Sequence, residues 1–292
     1  MGEPSHDTRR PLRISARALR IRLASVRAVR ATRWGFLGSC LSAADILAVL
    51  AEHLRLADAG RETPDDDRLV LSKGHAAPAL YAAVNEWPGD GSYAALGSSY
   101  QGHPNLSFLP GVGVTSGSLG LAAPAAAGLA QGMSLLGGTG RVAVVLGDGE
   151  LQSGIALEGV LWAVRAGLRN VLFVVDANGF QSGGATPGGD VTRRMLEAAV
   201  PAFTAVDGHD RAELDRAIGR SFREAAGPAL VWATTVRGKG MAAVEEKPVP
   251  MSWIPDDAVL AAAEEDLTEA LRRADDRLAR PAAEQTVSGR SS

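Results

Sequence analysis

The sequence predicts an α/β domain built on a mainly parallel sheet flanked by helices, and three observations predict it. Candidate helices and strands alternate along most of the chain, which is the pattern of a parallel sheet with crossover helices. Three short apolar runs, Val142 to Leu146, Val171 to Val175 and Leu230 to Val236, read as strands buried on both faces. Between the first two, Leu157, Val160, Leu161 and Val164 recur at helical spacing, so Ile155 to Ala166 reads as an amphipathic helix with one face on the sheet.

Taken in order, the chain opens with residues 1 to 12, which lack periodicity and are expected to be a frayed tail. Ala18, Leu19, Leu23, Val26 and Val29 then mark a first helix. The first 33 residues carry nine arginines against Glu3 and Asp7, while the remainder is acidic, so the net charge of −3 conceals a division. An Arg-rich targeting peptide, a nucleic-acid arm and an ordinary helix with a solvated basic face all fit that composition, and the apolar stripe favours the helix. No run of 18 apolar residues occurs, so no membrane span is expected, and neither is a nucleic-acid partner. A single cysteine, Cys40, excludes an intrachain disulfide and a multi-cysteine zinc site and suits a reducing, cytoplasmic setting. A helix is expected near Asp256 to Arg273 and a second frayed tail over 281 to 292, leaving residues 13 to 280 as one domain.

The two central strands end in Gly147-Asp148-Gly149-Glu150 and in Asp176-Ala177-Asn178-Gly179-Phe180-Gln181. The helix between them makes a crossover unit, so both strand ends open on the same sheet edge, where open α/β sheets bind ligands. A carboxylate, an amide carbonyl and a backbone carbonyl are hard oxygen donors suited to Mg²⁺ or Ca²⁺. Gly147 and Gly149 would let the backbone approach a diphosphate. Taken alone, the same residues also read as an ordinary turn and a loop residue.

Their company is more specific. Ser72-Lys73-Gly74-His75, Gln101-Gly102-His103-Pro104, Gly117-Ser118-Leu119-Gly120, Gly147-Asp148-Gly149-Glu150 and Asp176-Ala177-Asn178-Gly179 occur in this order, flanked by Leu41-Ser42-Ala43-Ala44-Asp45 and Val206-Asp207-Gly208-His209-Asp210. Over roughly residues 14 to 245 the set resembles the N-terminal, diphosphate-binding half of transketolases, especially those split into two subunits. The resemblance implies thiamine diphosphate as cofactor, a divalent metal held by Asp148, Asn178 and the carbonyl of Phe180, and Gly117, Ser118 and Leu119 under the aminopyrimidine. Gly147, Gly149 and Glu150 would complete the cofactor contacts. It also implies active-site roles for His75 and His103, whereas His209 reads as structural. Lys73 and Lys239 are two of only three lysines in an arginine-rich chain, which hints that an ammonium is wanted at each.

The pattern breaks in three places. Phe36 stands where the family carries a histidine, Ile254 follows Trp253 where a second histidine is usual, and Ser153 replaces a frequent glutamate, although the interface acid matched by Glu158 is kept. Loss of two imidazoles removes hydrogen bonds that recognise a polyhydroxylated ketose. A non-standard donor or acceptor is therefore expected, for example a 2-oxo acid such as pyruvate. None of the chain's acids matches the family glutamate that activates the cofactor, so a separate C-terminal subunit in an α₂β₂ assembly is expected to supply it. The implied reaction is transfer of a two-carbon ketol or acyl unit between small molecules (EC 2.2.1 type). The α subunit of a 2-oxo acid dehydrogenase and a non-catalytic scaffold subunit are the competing readings.

Overall fold

The computed structural model describes residues 7–57, 61–109, 112–247 and 249–280. The chain forms α1 (Arg10–Thr32), α2 (Leu37–His53), β1 (Arg68–Leu71), α3 (Ala77–Asn85), α4 (Ala122–Leu135), β2 (Val142–Gly147), α5 (Gly154–Arg165) and β3 (Val171–Ala177). It continues through the short hairpin β4 (Phe180–Gln181) and β5 (Gly184–Ala185), then α6 (Gly189–Ala199), β6 (Ala202–Asp207), α7 (Arg211–Glu224), β7 (Ala229–Thr234) and α8 (Asp257–Ala279). Helix α1 begins inside the stretch expected to be a tail; residues 1–6 and 281–292 of the two expected tails lie outside the described residues.

Five strands form one parallel sheet in the order β1-β2-β3-β7-β6. Three of them are the apolar runs read from the sequence; β1 and β6 escaped it. Side chains alternate across each strand, and the sheet accordingly divides two cores. Leu71, Val145, Val174 and Val231 pack toward α2, α3 and α7, while Val144, Phe173, Val175 and Leu230 pack toward α4 and α5.

Helix α5 packs with most of the face its apolar spacing suggested, Val160 being buried and Leu157 and Val164 packed against the core, but the buried face is shifted so that Leu161 falls outside it. Ala156, Gly159, Val160 and Ala163 are buried, and Leu161 and Trp162 are exposed. The reason is close packing on α4: a methyl at Gly159 would lie 2.5 Å from the backbone nitrogen of Pro124. Small residues turn inward because only they permit that approach.

The arginines of α1 are not a simply solvated face. Arg27 and Arg30 pair with Glu264 and Asp257 of α8, Arg20 with Asp275, Arg13 and Arg17 with Glu52 of α2, and Arg10 with Asp215 of α7. Beneath them Leu23, Val26 and Val29 meet Leu260 and Leu267 in a third apolar cluster. The division of charge along the sequence is thus a complementarity between the first helix and acids that arrive later. Among the described residues no helix is long and apolar enough to cross a membrane.

Candidate functional site

Because the sheet is parallel, the carboxyl ends of β1, β2, β3 and β7 all open on one edge. The register sets Gly147 beside Asp176, so the turns beginning at Asp148 and Asn178 emerge side by side. A cavity of about 270 Å³ lies there, lined by Ser72, Lys73, His75, His103, Asp148 and Asn178, with Gly117, Leu119, Gly147, Gly149, Glu150 and Phe180 also in its wall. Five sequence segments separated by up to about a hundred positions therefore converge on one space. Ser118, between Gly117 and Leu119, is exposed and outside the wall.

Asp148 is 5% exposed, and its Oδ2 accepts a hydrogen bond from the Gly179 amide at 3.0 Å. Burial, reinforced by the neighbouring Asp176 carboxylate, pushes its carboxyl above the usual range. Asn178 turns its Oδ1 to the Phe180 amide at 3.0 Å and donates its Nδ2 to Ser42 Oγ at 3.1 Å. Asp176, fully buried, accepts from Ser42 at 2.7 Å and also from Thr235 and Lys73. Ser42 donates toward Asp176, so it offers Asn178 an acceptor, and this polarity fixes which end of the amide is oxygen.

Lys73 is thereby committed to Asp176 in a buried pair, and Asp148 makes no ion pair among the described residues. A half-compensated carboxylate beside an amide oxygen and a backbone carbonyl is a donor set that a hard divalent cation fits.

Glu150 works as a tie. One oxygen accepts from the Ser72 hydroxyl and from the Gly120 amide at 2.9 Å, and the other from the Gly147 amide at 3.2 Å. It joins the ends of β1 and β2 to the 117–120 loop; burial nonetheless holds its carboxyl above the ordinary value.

His75 places Nε2 3.0 Å from Ser39 Oγ, and burial, with Lys73 and His103 nearby, lowers its pKa to about 3. It is a neutral hydrogen-bonding group at physiological pH. His103, lowered by burial, packs on the 74 and 117 backbones: a methyl at Gly74 would lie 3.0 Å from its ring and 2.8 Å from Ser116 Oγ. A methyl at Gly147 would meet only the Glu150 side chain, at 4.0 Å, whereas a methyl at Gly149 would strike the Gln181 side chain at 2.6 Å.

The departures from the family pattern fall as follows. Phe36 meets His75 edge-on with ring centroids 5.2 Å apart. Ile254 packs against the α1–α8 cluster, and the residue of its segment that lines the cavity is Met251. Ser153 caps α5 through the Ala156 amide, and Glu158 is exposed on the outer side of that helix. Lys239 pairs with Glu245 away from the cavity, and Cys40 is buried in the helical core, where burial pushes its thiol up to about 12. His209 is structural: Nε2 accepts from the Val236 amide at 2.8 Å, so Nδ1 carries the proton given to Asp45 at 2.8 Å. Sequence reasoning gave no role to Gln181, although it ends the segment that follows β3, and missed Arg237 and Met251, for which no local signal existed.

Fold and site together define an α/β domain of the cofactor-binding class, with its cavity at the carboxyl edge of the sheet. The chain belongs to the transketolase family: residues 14–259 match the model for "Transketolase, thiamine diphosphate binding domain". It is 37% identical over 254 residues to bovine (Bos taurus) transketolase-like protein 2, covering 80% of this chain and 40% of the relative. Against human (Homo sapiens) transketolase the identity is 35% over 245 residues, covering 79% and 38%. The structure of a Campylobacter jejuni transketolase superposes with a TM-score of 0.71 at 25% identity, over 94% of this chain and half of the other. The chain thus spans about 40% of the length of these curated relatives.

Proposed function

We propose that this chain is the diphosphate-binding half of a thiamine diphosphate-dependent, transketolase-type transferase that moves a two-carbon unit from a ketone donor to an acceptor. The observation that carries the reading is the convergence of His75, His103, Gly117, Asp148 and Asn178 on a single cavity. Asp148, the Asn178 amide oxygen and the Phe180 carbonyl would hold Mg²⁺ or Ca²⁺, and with it the cofactor's diphosphate. When bound, thiamine diphosphate supplies the nucleophilic carbon that attacks the donor. Of the chain's own residues, Leu119 would support an apolar ring, and His75 and His103 would present neutral imidazoles to the donor.

The activating acid has to come from elsewhere. Asp148 and Glu150 are the only carboxylates in the cavity wall among the described residues, and both belong to the strand ends. An apolar surface supports a second polypeptide: Leu121 and Ile155 are exposed next to Gly120, beside the exposed Leu119 of the cavity wall, and Leu161 and Trp162 are exposed further along α5. We therefore assign the acid to a C-terminal, pyrimidine-binding partner subunit in an α₂β₂ assembly.

Phe36 against His75, with Met251 in the wall, supports a donor or acceptor other than the usual sugar phosphates, such as a 2-oxo acid. Calorimetric titration of thiamine diphosphate with Mg²⁺, with and without the partner, tests the reading. Heat of binding in at least one arm is expected; silence in both would leave a scaffold subunit. Transketolase rates with xylulose 5-phosphate and ribose 5-phosphate would overturn the substrate assignment alone.

A further inference from the structure

We infer that Arg237 is a positioning residue that clamps the β7–α8 connection across the cofactor cavity. Arg237 is 3% exposed, and its guanidinium has no carboxylate partner among the described residues. Instead it donates to three carbonyls of one segment: Nη1 to Lys247 at 3.1 Å and to Val249 at 2.9 Å, and Nη2 to Pro250 at 3.1 Å. The next residue, Met251, lines the cavity.

The same guanidinium stands 5.1 Å from the centre of the Phe180 ring, within range of a cation–π contact. Phe180 also lines the cavity, at the start of the β4–β5 hairpin. On a third side, Gly38 leaves room for the arginine: a methyl there would lie 2.8 Å from Nε. Gly38 lies in the first turn of α2, after Phe36 and Leu37, and its carbonyl accepts from the Gly238 amide at 3.0 Å.

One cation therefore touches three segments that border the site: the Phe36–Gly38 turn, the hairpin of Phe180, and the connection that carries Met251. Burying a charge without an ion pair is costly, and backbone carbonyls recover that cost only while the segment stays in place. A planar fork with several donors can bridge carbonyls of adjacent residues, which a point ammonium does less well. Consequences for cofactor retention rest on the proposed function; the clamp does not.

Hydrogen–deuterium exchange with mass-spectrometric readout, on the full chain without added cofactor, separates the two. Arg237→Ala should accelerate exchange about tenfold or more in peptides covering Lys247 to Ile254 and the Phe180 hairpin, leaving β2 and β3 unchanged. Arg237→Lys should restore part of the protection. Unchanged exchange in those peptides, or equal acceleration throughout the sheet, overturns the assignment. Should Arg237→Ala fail to fold, Gly38→Ala displaces the guanidinium without removing it and must give the same localised acceleration; absence of that effect is equally fatal. If the exchange result holds while calorimetry detects no thiamine diphosphate, the clamp stands and the cofactor reading falls.

Discussion

At Asp148 the fold has placed a carboxylate where burial and the charge of Asp176 both disfavour ionisation. A bound divalent cation reverses that balance, so cofactor affinity should depend on this one charge. Asp148→Asn is expected to weaken Mg²⁺-dependent thiamine diphosphate binding by more than the roughly 10–100-fold typical of losing a group that only supports a ligand. Titration calorimetry reads this directly, and affinity within threefold or so of the parent would contradict it. Ser42 and Asp176 were legible only as members of motifs; the bonds that tie Ser42 to Asp176 and to Asn178 cross more than 130 positions and exist only in the folded chain.

Helices α4 and α5 show how element packing constrains sequence in opposite ways at two glycines. Gly159 faces the Pro124 backbone at a distance no side chain tolerates, so Gly159→Ala should destabilise the domain by about 1–3 kcal/mol despite the better helix propensity of alanine. Gly128, in α4, has nothing within 4 Å of an added methyl, and Gly128→Ala should stabilise by about 0.4–1 kcal/mol. Paired urea denaturation curves check both, and equal shifts of the same sign would contradict the packing account. The exposed Leu161 and Trp162 follow from the same geometry, which an apolar count along α5 could not foresee. Strand β6 was likewise hidden: as an edge strand it is half exposed and lacks the unbroken apolar run that marked β2, β3 and β7.

Across the whole molecule, stability should fall as the medium is acidified, in two windows. His75 has its pKa lowered to about 3, so between roughly pH 6.5 and 3 the unfolded chain binds a proton that the folded chain refuses, and stability declines as pH falls through that range. Lower still, Asp45 contributes. Burial pushes its carboxyl up, but the His209 hydrogen bond and the guanidiniums of Arg22 and Arg211 together hold it below the usual carboxylate range. Its stabilisation is present above the ordinary carboxylate pKa and is lost on descent toward the folded value. His75→Gln should flatten the pH 6.5–3 limb of the urea midpoint while leaving the lower limb, and an unaltered limb in that variant would refute the assignment. Asp45→Ala, which strands a buried guanidinium, should cost about 3–5 kcal/mol at neutral pH in the same measurement.

The sequence by itself determined the parallel α/β architecture, the family, and most of the segments that line the cavity at the carboxyl edge of the sheet. Those follow from local pattern: apolar runs that can only be buried on both faces, and ordered motifs whose chemistry is intrinsic to the residue types. The tertiary structure decided which groups act on one another. It commits Lys73 to Asp176, makes Glu150 a tie between loops, turns Met251 rather than Ile254 into the cavity, and closes the arginines of α1 onto acids of α8 some 230 positions away. Charge, hydrogen-bond polarity and burial are properties of a neighbourhood, and neighbourhoods formed by segments far apart in the chain come into being only when the sheet and its helices pack.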